Sequence, residues 1–153
     1  MRSGTRLGID VGKVRVGVAR SDPHGMLATP VETIQRADRS VQLVLALATE
    51  HDAVEFVVGL PIALSGRDTA STGDAREFAQ QLADSSDLPV RLVDERMTTM
   101  SANSALRASG RTAKNSRSVV DQVAAVIILQ HALDFERSAA RPPGELVEPT
   151  LGS

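Results

Sequence analysis

Cysteine and aromatic side chains are the most conspicuous absences from this chain of 153 residues. It has no Cys, Trp or Tyr and only three Phe. The lack of cysteine excludes disulfides and thiolate metal sites, and the lack of aromatics leaves little surface on which nucleobases can stack. The chain also has no apolar run near the roughly 18 residues that span a bilayer, and its first residues, "MRSGTR", precede no apolar signal core. We therefore expect a cytoplasmic protein with no membrane partner.

Charge of neither sign dominates, with 17 basic and 19 acidic residues and a net charge of −2. Such a balance argues against a protein that coats nucleic acid, because Lys and Arg supply most of the affinity for phosphate backbones. Any contact with nucleic acid must then depend on a local basic patch or on metal ions. The length and the 42% hydrophobic content fit one domain with a proper core.

The order of periodic segments predicts the fold. Two alternating strands at residues 7–19 and a third at 27–35 are joined by short turns, which favours an antiparallel meander. Helical and apolar strand patterns then alternate along the chain, at about residues 40–51, 54–61, 74–83, 88–96, 98–109 and 116–137. We predict an α/β fold with a five-stranded mixed sheet, in which three antiparallel strands precede parallel ones and helices cover both faces. This domain would span residues 1–137, and the Pro- and Gly-containing segment 138–153 would form a disordered tail.

The first two strands, in "LGIDVGKVRVGVA", place Asp10 on a face that is otherwise almost bare. Gly8, Gly12 and Gly17 share that face. Glycine within a strand usually marks the close approach of a ligand or of another backbone. Asp10 is therefore a candidate functional carboxylate, near the carboxyl end of its strand, where ligands of such sheets bind. The alternative is a structural aspartate that pairs with Arg15 or caps the turn.

A second acidic site follows the last predicted strand, in "VDERMTT". Asp94 and Glu95 point to opposite faces of a strand, so at most one of them shares the face of the hairpin carboxylate. Thr98 and Thr99 begin a helix whose first N–H groups can bind a phosphate. The alternative is a charged strand end paired with the following arginine.

Asp121 is the third candidate, on a helical stripe made mostly of alanine. Small residues allow a helix to lie close to a sheet, and burying a lone carboxylate costs several kcal/mol unless it has a partner or a cation. The alternative is an aspartate at the surface edge of the helix. Carboxylates from three distant segments that meet would repel each other unless a cation lies between them. Oxygen ligands without Cys or His favour Mg²⁺ or Mn²⁺, and such sites suit phosphodiester cleavage.

Two further segments are candidates for substrate contacts. The segment 59–75, "GLPIALSGRDTASTGDA", has Gly, Ser and Thr that are suited to a phosphate, although a plain loop fits its composition as well. The segment 106–118 has four cations and no acid, so it is either a guide for a nucleic-acid backbone or a solvated connector. The candidate substrate-binding cations are Arg15, Arg107, Arg111, Lys114 and Arg117.

Four segments in this order, "GIDVGKVRVGVA", "VVGLP", "DERMTT" and "VVDQVAAVIILQ", resemble the YqgF/RuvX family over roughly residues 5–135. The resemblance implies an RNase H-like fold related to the Holliday-junction resolvase RuvC. It also implies a nuclease that processes the 5′ end of precursor 16S ribosomal RNA during ribosome biogenesis, or one that acts on branched DNA. By the same resemblance, Asp10, Glu95 and Asp121 fall on the acidic positions of the family, and they are the predicted catalytic and metal-binding residues for Mg²⁺ or Mn²⁺.

Two other functions are compatible with parts of the sequence. A non-catalytic RNA-binding factor of the same fold is one of them. Ribosomal precursor particles are an expected partner of the protein. The other function rests on "GIDVG", which also resembles the first phosphate motif of actin-like and sugar-kinase-like ATPases. Those proteins bind nucleotide between two such domains, and this chain has room for one, so we rank the ATPase function low.

Overall fold

A computed structural model describes residues 2–95 and 117–150 of the protein. The elements are β1 (Thr5–Val11), β2 (Arg15–Ser21), β3 (Ala28–Gln35), α1 (Ser40–Glu50), β4 (Ala53–Leu60), α2 (Ala70–Ser85), β5 (Val90–Asp94), α3 (Arg117–Ala139) and β6 (Glu145–Leu146). The helix predicted over 98–109 lies outside the described residues.

The sheet is mixed, with the strand order β3-β2-β1-β4-β5-β6. The pairs β1–β2 and β2–β3 are antiparallel, and β1–β4 and β4–β5 are parallel, as predicted. The predicted count of five strands is wrong, because β6 adds an antiparallel sixth strand beside β5. This strand lies within 138–153, where we expected no regular structure. A two-residue strand shows no periodicity in the sequence, and here it is held by pairing with Arg91 and Leu92 and by the N–H of Val147, which donates to the carbonyl of Val90 at 2.8 Å.

Helices cover both faces of the sheet, as predicted. The face that carries Leu7 and Ile9 packs against α1 and α2 and forms the larger hydrophobic core. The opposite face packs against α3 and forms a second, smaller core that includes Val57 and Ile128. The alternation along β1 therefore separates the large side chains, which face α1 and α2, from the glycine face, which meets α3.

Helix α2 begins at Ala70, four residues before the start predicted from its apolar spacing. The reason is a capping box in the preceding loop. The N–H of Thr69 donates to Oγ1 of Thr72 at 2.8 Å, and the N–H of Thr72 donates to Oγ1 of Thr69 at 3.3 Å. The Thr72 hydroxyl also donates to the carbonyl of Pro61. These bonds fix the first turn of α2 to the end of β4.

A buried charge network fixes the position of α3 on the sheet. Glu136, near the end of α3, accepts hydrogen bonds from Arg2 (2.6 Å) and from Arg6 (3.3 Å). Glu55 of β4 accepts bonds from Arg2 and from Arg91, each at 3.0 Å. Because Arg6 and Glu55 lie at the beginnings of their strands, the C-terminal end of α3 is held at the amino edge of the parallel strands. The helix thus runs antiparallel to β1, with its N-terminal half over the carboxyl edge.

No helix within the described parts of the chain has the length and apolar character to cross a bilayer.

Candidate active site

The carboxyl ends of β1, β4 and β5 meet at one edge of the sheet, because these three strands are parallel neighbours. Asp10 lies one residue before the end of β1. Glu95 directly follows β5, and its N–H donates to the carbonyl of Leu60, the last residue of β4, at 3.1 Å. The ladder is thereby extended by one residue, and Glu95 lies at the same carboxyl edge of the sheet as Asp10. This edge is where ligands of open α/β sheets gather.

The alternation of β5 selects which acid joins Asp10. Val93 packs into the core beneath α3, whereas Leu92 packs into the core beneath α1 and α2. Glu95 therefore continues the face of Val93, which is the glycine face of β1. Asp94 lies on the alternate position and is exposed. The strand alternation left both acids as candidates, and the family resemblance favoured Glu95. The structure places Glu95 beside Asp10.

Gly59 makes room for the Glu95 side chain. A Cβ atom at Gly59 would lie 2.5 Å from Cδ1 of Ile128 and 2.7 Å from Cδ of Glu95. These separations are shorter than van der Waals contact, so an alanine at this position would displace Glu95 or α3. Sequence reasoning did not assign a role to Gly59. The available indication was a glycine within the otherwise apolar strand "VEFVVGLP".

Glu95 is a buried acid in contact with another acid. Only 8% of the residue is exposed, and its carboxyl group is hydrogen-bonded to that of Asp10. Burial, followed by the charge of Asp10, raises the pKa of Glu95 to about 8, and the nearby Asp94 acts in the same direction. At neutral pH the pair therefore holds a proton between two carboxyl groups. A cation in place of the proton would offset the repulsion between the two ionised carboxylates.

The bare face of β1 is explained by the close approach of α3. A Cβ atom at Gly8 would lie 2.6 Å from Cβ of Leu129 and 2.9 Å from the carbonyl oxygen of Ala125. Gly8, two residues before Asp10 on the same strand face, thus has no side chain because the backbone of α3 lies against it. The predicted close contact between the alanine-rich helix and the glycine face is present.

The register of the sheet also locates the start of α3. Asp10 is paired with Gly17, and Gly17 is paired with Thr33. The side-chain amide of Gln122 donates to Oγ1 of Thr33 at 3.0 Å. The first turns of α3 therefore lie along the same row of the sheet as Asp10, and the backbone of Asp121 is part of them. The side chain of Asp121 lies outside the described part of the structure, so its place in the site stays a prediction.

The other predicted site residues fall into two groups. Arg15 begins β2, two residues before Gly17, and so lies on the same face of the sheet as Asp10. Arg117 begins α3, with its side chain outside the described part. Thr98, Thr99, Arg107, Arg111 and Lys114 lie outside the described residues.

Within the part of the chain that the structure describes, no three His, Asp or Glu side chains are grouped so as to hold a metal ion. Asp10 and Glu95 supply two oxygen ligands of the kind that Mg²⁺ and Mn²⁺ prefer. Asp121, whose backbone lies along the same row of the sheet as Asp10, stays the predicted third ligand.

The fold defines the class of protein. Over 91% of this chain and 99% of the other, the structure is similar to that of Thermus thermophilus RuvC in complex with a Holliday junction substrate, with a TM-score of 0.58 and 18% sequence identity. A second Thermus thermophilus RuvC structure matches with a TM-score of 0.56 and 17% identity, again over 91% of this chain and 99% of that one. The predicted RNase H-like fold is thus confirmed.

The family follows from sequence comparison. The RuvX family, described as Holliday junction resolvase, matches residues 4–135. A relative from Clavibacter michiganensis subsp. michiganensis is 63% identical over 150 residues, which are 96% of this chain and 93% of the relative. One from Leifsonia xyli subsp. xyli is 60% identical over 156 residues, covering 99% of each chain. Both bear the name "Putative pre-16S rRNA nuclease". The chain belongs to the YqgF/RuvX family, and the predicted class of enzyme, a hydrolase of phosphodiester bonds, is confirmed.

Proposed function

We propose that the protein is a metal-dependent endonuclease that processes the 5′ end of precursor 16S ribosomal RNA in the cytoplasm during ribosome biogenesis. One observation carries the proposal. A buried, hydrogen-bonded pair of carboxyl groups, Asp10 and Glu95, lies at the carboxyl edge of an RNase H-like sheet in a chain of a nuclease family. The names of the relatives supply the RNA substrate.

The chemistry of this pair fits a divalent cation. Burial disfavours the ionised form of Glu95, and Asp10 adds repulsion, so the apo protein retains a proton there. With a divalent cation bound, both carboxylates would be ionised and that proton would pass to solvent. Asp10, Glu95 and Asp121 would hold Mg²⁺ or Mn²⁺. When bound, the metal supplies a polarised water nucleophile and stabilises the charge that develops on the phosphate.

The chain's own residues orient this site and bring substrate to it. Gly59 and Ile128 close the inner side of the Glu95 carboxyl group, which fixes its position and excludes water from it. Arg15, on the same face as Asp10, would bind a phosphate beside the one that is cleaved. The cations at 107–117 would guide the RNA backbone, and the N–H groups that follow Thr98 and Thr99 would bind phosphate.

The test is a cleavage assay on RNA that spans the precursor 5′ end. Cleavage should require Mg²⁺ or Mn²⁺, whereas Ca²⁺ should support binding with little turnover, because its looser coordination fits such a site poorly. Asp10→Asn should abolish cleavage, and Asp87→Asn, at an exposed position beyond α2, should leave it unchanged. Full activity of the parent protein in excess chelator would contradict the metal mechanism.

A second candidate function is cleavage of branched DNA. It is favoured by the description of the family as a Holliday junction resolvase and by the similarity to RuvC. A four-way DNA junction assayed beside the RNA distinguishes the two substrates by their rates. Tight binding of RNA without cleavage of either substrate, in any of the three metals, would instead indicate a non-catalytic RNA-binding factor.

A further inference from the structure

The connection between β4 and α2 is an ordered hairpin at the edge of the candidate active site. Ile62 and Asp68 form an antiparallel bridge, and the N–H of Ala63 donates to the carbonyl of Arg67 at 3.0 Å. The N–H of Gly66 donates to the carbonyl of Ala63 at 2.7 Å, which closes a turn. Gly66 has a φ of +88°, a backbone conformation that favours glycine. We call residues 62–68 the β4–α2 hairpin.

This hairpin presents a leucine to solvent at its tip. Leu64 is 83% exposed, more than any other large apolar residue in the described part of the chain. The hydrogen bonds that join Ala63 to Gly66 and to Arg67 fix the backbone of the turn that carries this exposed side chain. A large apolar side chain on a preorganised turn is suited to contact a ligand, because little conformational entropy is lost on binding.

The hairpin follows directly after the end of β4, which is hydrogen-bonded to the backbone of Glu95. The carbonyl of Leu60 accepts a hydrogen bond from the N–H of Glu95, and Leu64 is the fourth residue after Leu60. Four extended residues span at most about 14 Å. That distance corresponds to about four stacked bases along one strand. A nucleic-acid strand bound across the site therefore passes within reach of Leu64.

The protein has no aromatic side chain to perform this role at the site. Phe56 and Phe78 are buried in the core beneath α1 and α2, and Phe135 lies in the C-terminal half of α3, toward the amino edge of the sheet. Proteins that unstack or kink nucleic acid also use leucine as an apolar wedge between bases. Arg67, exposed three residues after Leu64, adds a cation for the adjacent phosphate.

We propose that the β4–α2 hairpin is a wedge that unstacks a nucleotide flanking the cleaved phosphate, with Leu64 against the base and Arg67 on the backbone. The inference rests on the proposed nucleic-acid substrate of the same site. It assigns to the hairpin a role in positioning the RNA strand and none in the chemistry of hydrolysis.

The test measures binding in Ca²⁺, which separates it from cleavage. RNA spanning the precursor 5′ end, with one adenine replaced by 2-aminopurine on either side of the cleavage site, is titrated with the protein. The fluorescence of one of these probes should rise as its base is unstacked. Leu64→Ser should abolish that rise and raise Kd about tenfold, and Leu64→Met, which keeps an apolar side chain of similar size, should restore both.

Two matched variants serve as controls. Leu27→Ser changes a leucine that is 61% exposed but lies between β2 and β3, at the opposite edge of the sheet, and should leave Kd and fluorescence unchanged. Arg67→Ala should reduce the salt dependence of log Kd by about one unit of slope, whereas Arg20→Ala, at the opposite edge, should not.

The inference is overturned if Leu64→Ser binds as tightly as Leu27→Ser and the probe still brightens. The same holds if the parent protein brightens no probe position. A failure of the proposed nuclease function would appear separately, as bound and unstacked RNA that is never cut in Mg²⁺ or Mn²⁺.

Discussion

The acidic pair makes a measurable prediction about stability in the absence of metal. Glu95→Gln should stabilise the apo protein at neutral and alkaline pH, although a buried hydrogen-bonded side chain is being changed. A glutamine amide at this position still donates a hydrogen bond to Asp10, as the protonated carboxyl group does, and it carries no proton to lose. The variant therefore keeps the contact and removes the buried acid.

The magnitude follows from the pKa of Glu95. Burial and the charge of Asp10 raise it from 4.5 to about 8. A carboxyl group with a raised folded-state pKa destabilises the fold when it must ionise, so the parent is most stable below the unfolded pKa and loses stability as pH rises through the folded pKa. The loss is about 3 kcal/mol at pH 7. The stability gap between Glu95→Gln and the parent should thus be small at pH 5 and should widen by about 3 kcal/mol by pH 8.

Thermal unfolding at pH 5, 7 and 8 measures this gap, since a chain of this size shifts by about 2–4 °C per kcal/mol. Glu32→Gln, on the exposed edge strand β3, is the matched control and should follow the parent. Added Mg²⁺ should stabilise the parent by mass action and the Glu95→Gln variant less. A variant that melts below the parent at all three pH values, with no response of the parent to Mg²⁺, would refute the reasoning and favour a purely structural acid pair.

Three further predictions concern the parts that support the site. Gly8→Ala should lower the free energy of unfolding by about 1–3 kcal/mol, because the added Cβ would meet the backbone of α3. Gly73→Ala is the control on α2, where a Cβ meets open space, and it should raise the free energy of unfolding by up to about 1 kcal/mol. Chemical denaturation measures both changes. Changing Arg111 and Lys114 together to alanine should weaken RNA binding and flatten its salt dependence without altering metal affinity, and an unchanged salt slope would show that the segment is only a connector. Glu55→Gln should lower the free energy of unfolding by about 3–5 kcal/mol, because Arg2 and Arg91 lose their buried carboxylate partner; chemical denaturation measures the change. A loss below about 1 kcal/mol would show that water replaces the carboxylate as the partner of the two arginines.

Much of the fold was predictable because its long elements carry strong patterns. The apolar residues of β1 and β2 alternate, those of α1 and α3 recur at helical spacing, and β4 is almost wholly apolar, as is typical of a buried parallel strand. Capping decided the start of α2, since Thr69 and Thr72 form a reciprocal pair that the apolar spacing does not reveal. The strand β6 escaped prediction because two residues cannot show a period.

For the candidate site, the sequence by itself determined that Asp10 lies on a bare strand face and that only one of Asp94 and Glu95 could share that face. Both conclusions follow from the two-residue period of a strand, which is a local property of the chain. It also indicated, from the small residues after Asp121, that α3 could approach the glycines of β1.

The strand pattern alone could not choose between Asp94 and Glu95, although the family resemblance favoured Glu95. The tertiary structure decided that Glu95 is the acid beside Asp10, because the choice depends on which face of β5 meets α3 and on the hydrogen bond from the N–H of Glu95 to the carbonyl of Leu60. The role of Gly59 was likewise decided there, since a missing Cβ matters only when a side chain from another strand occupies its place. The raised pKa of Glu95 has the same origin. Burial and the proximity of a second charge are properties of packed neighbours, and residues 85 positions apart in the sequence become neighbours only when the sheet has formed.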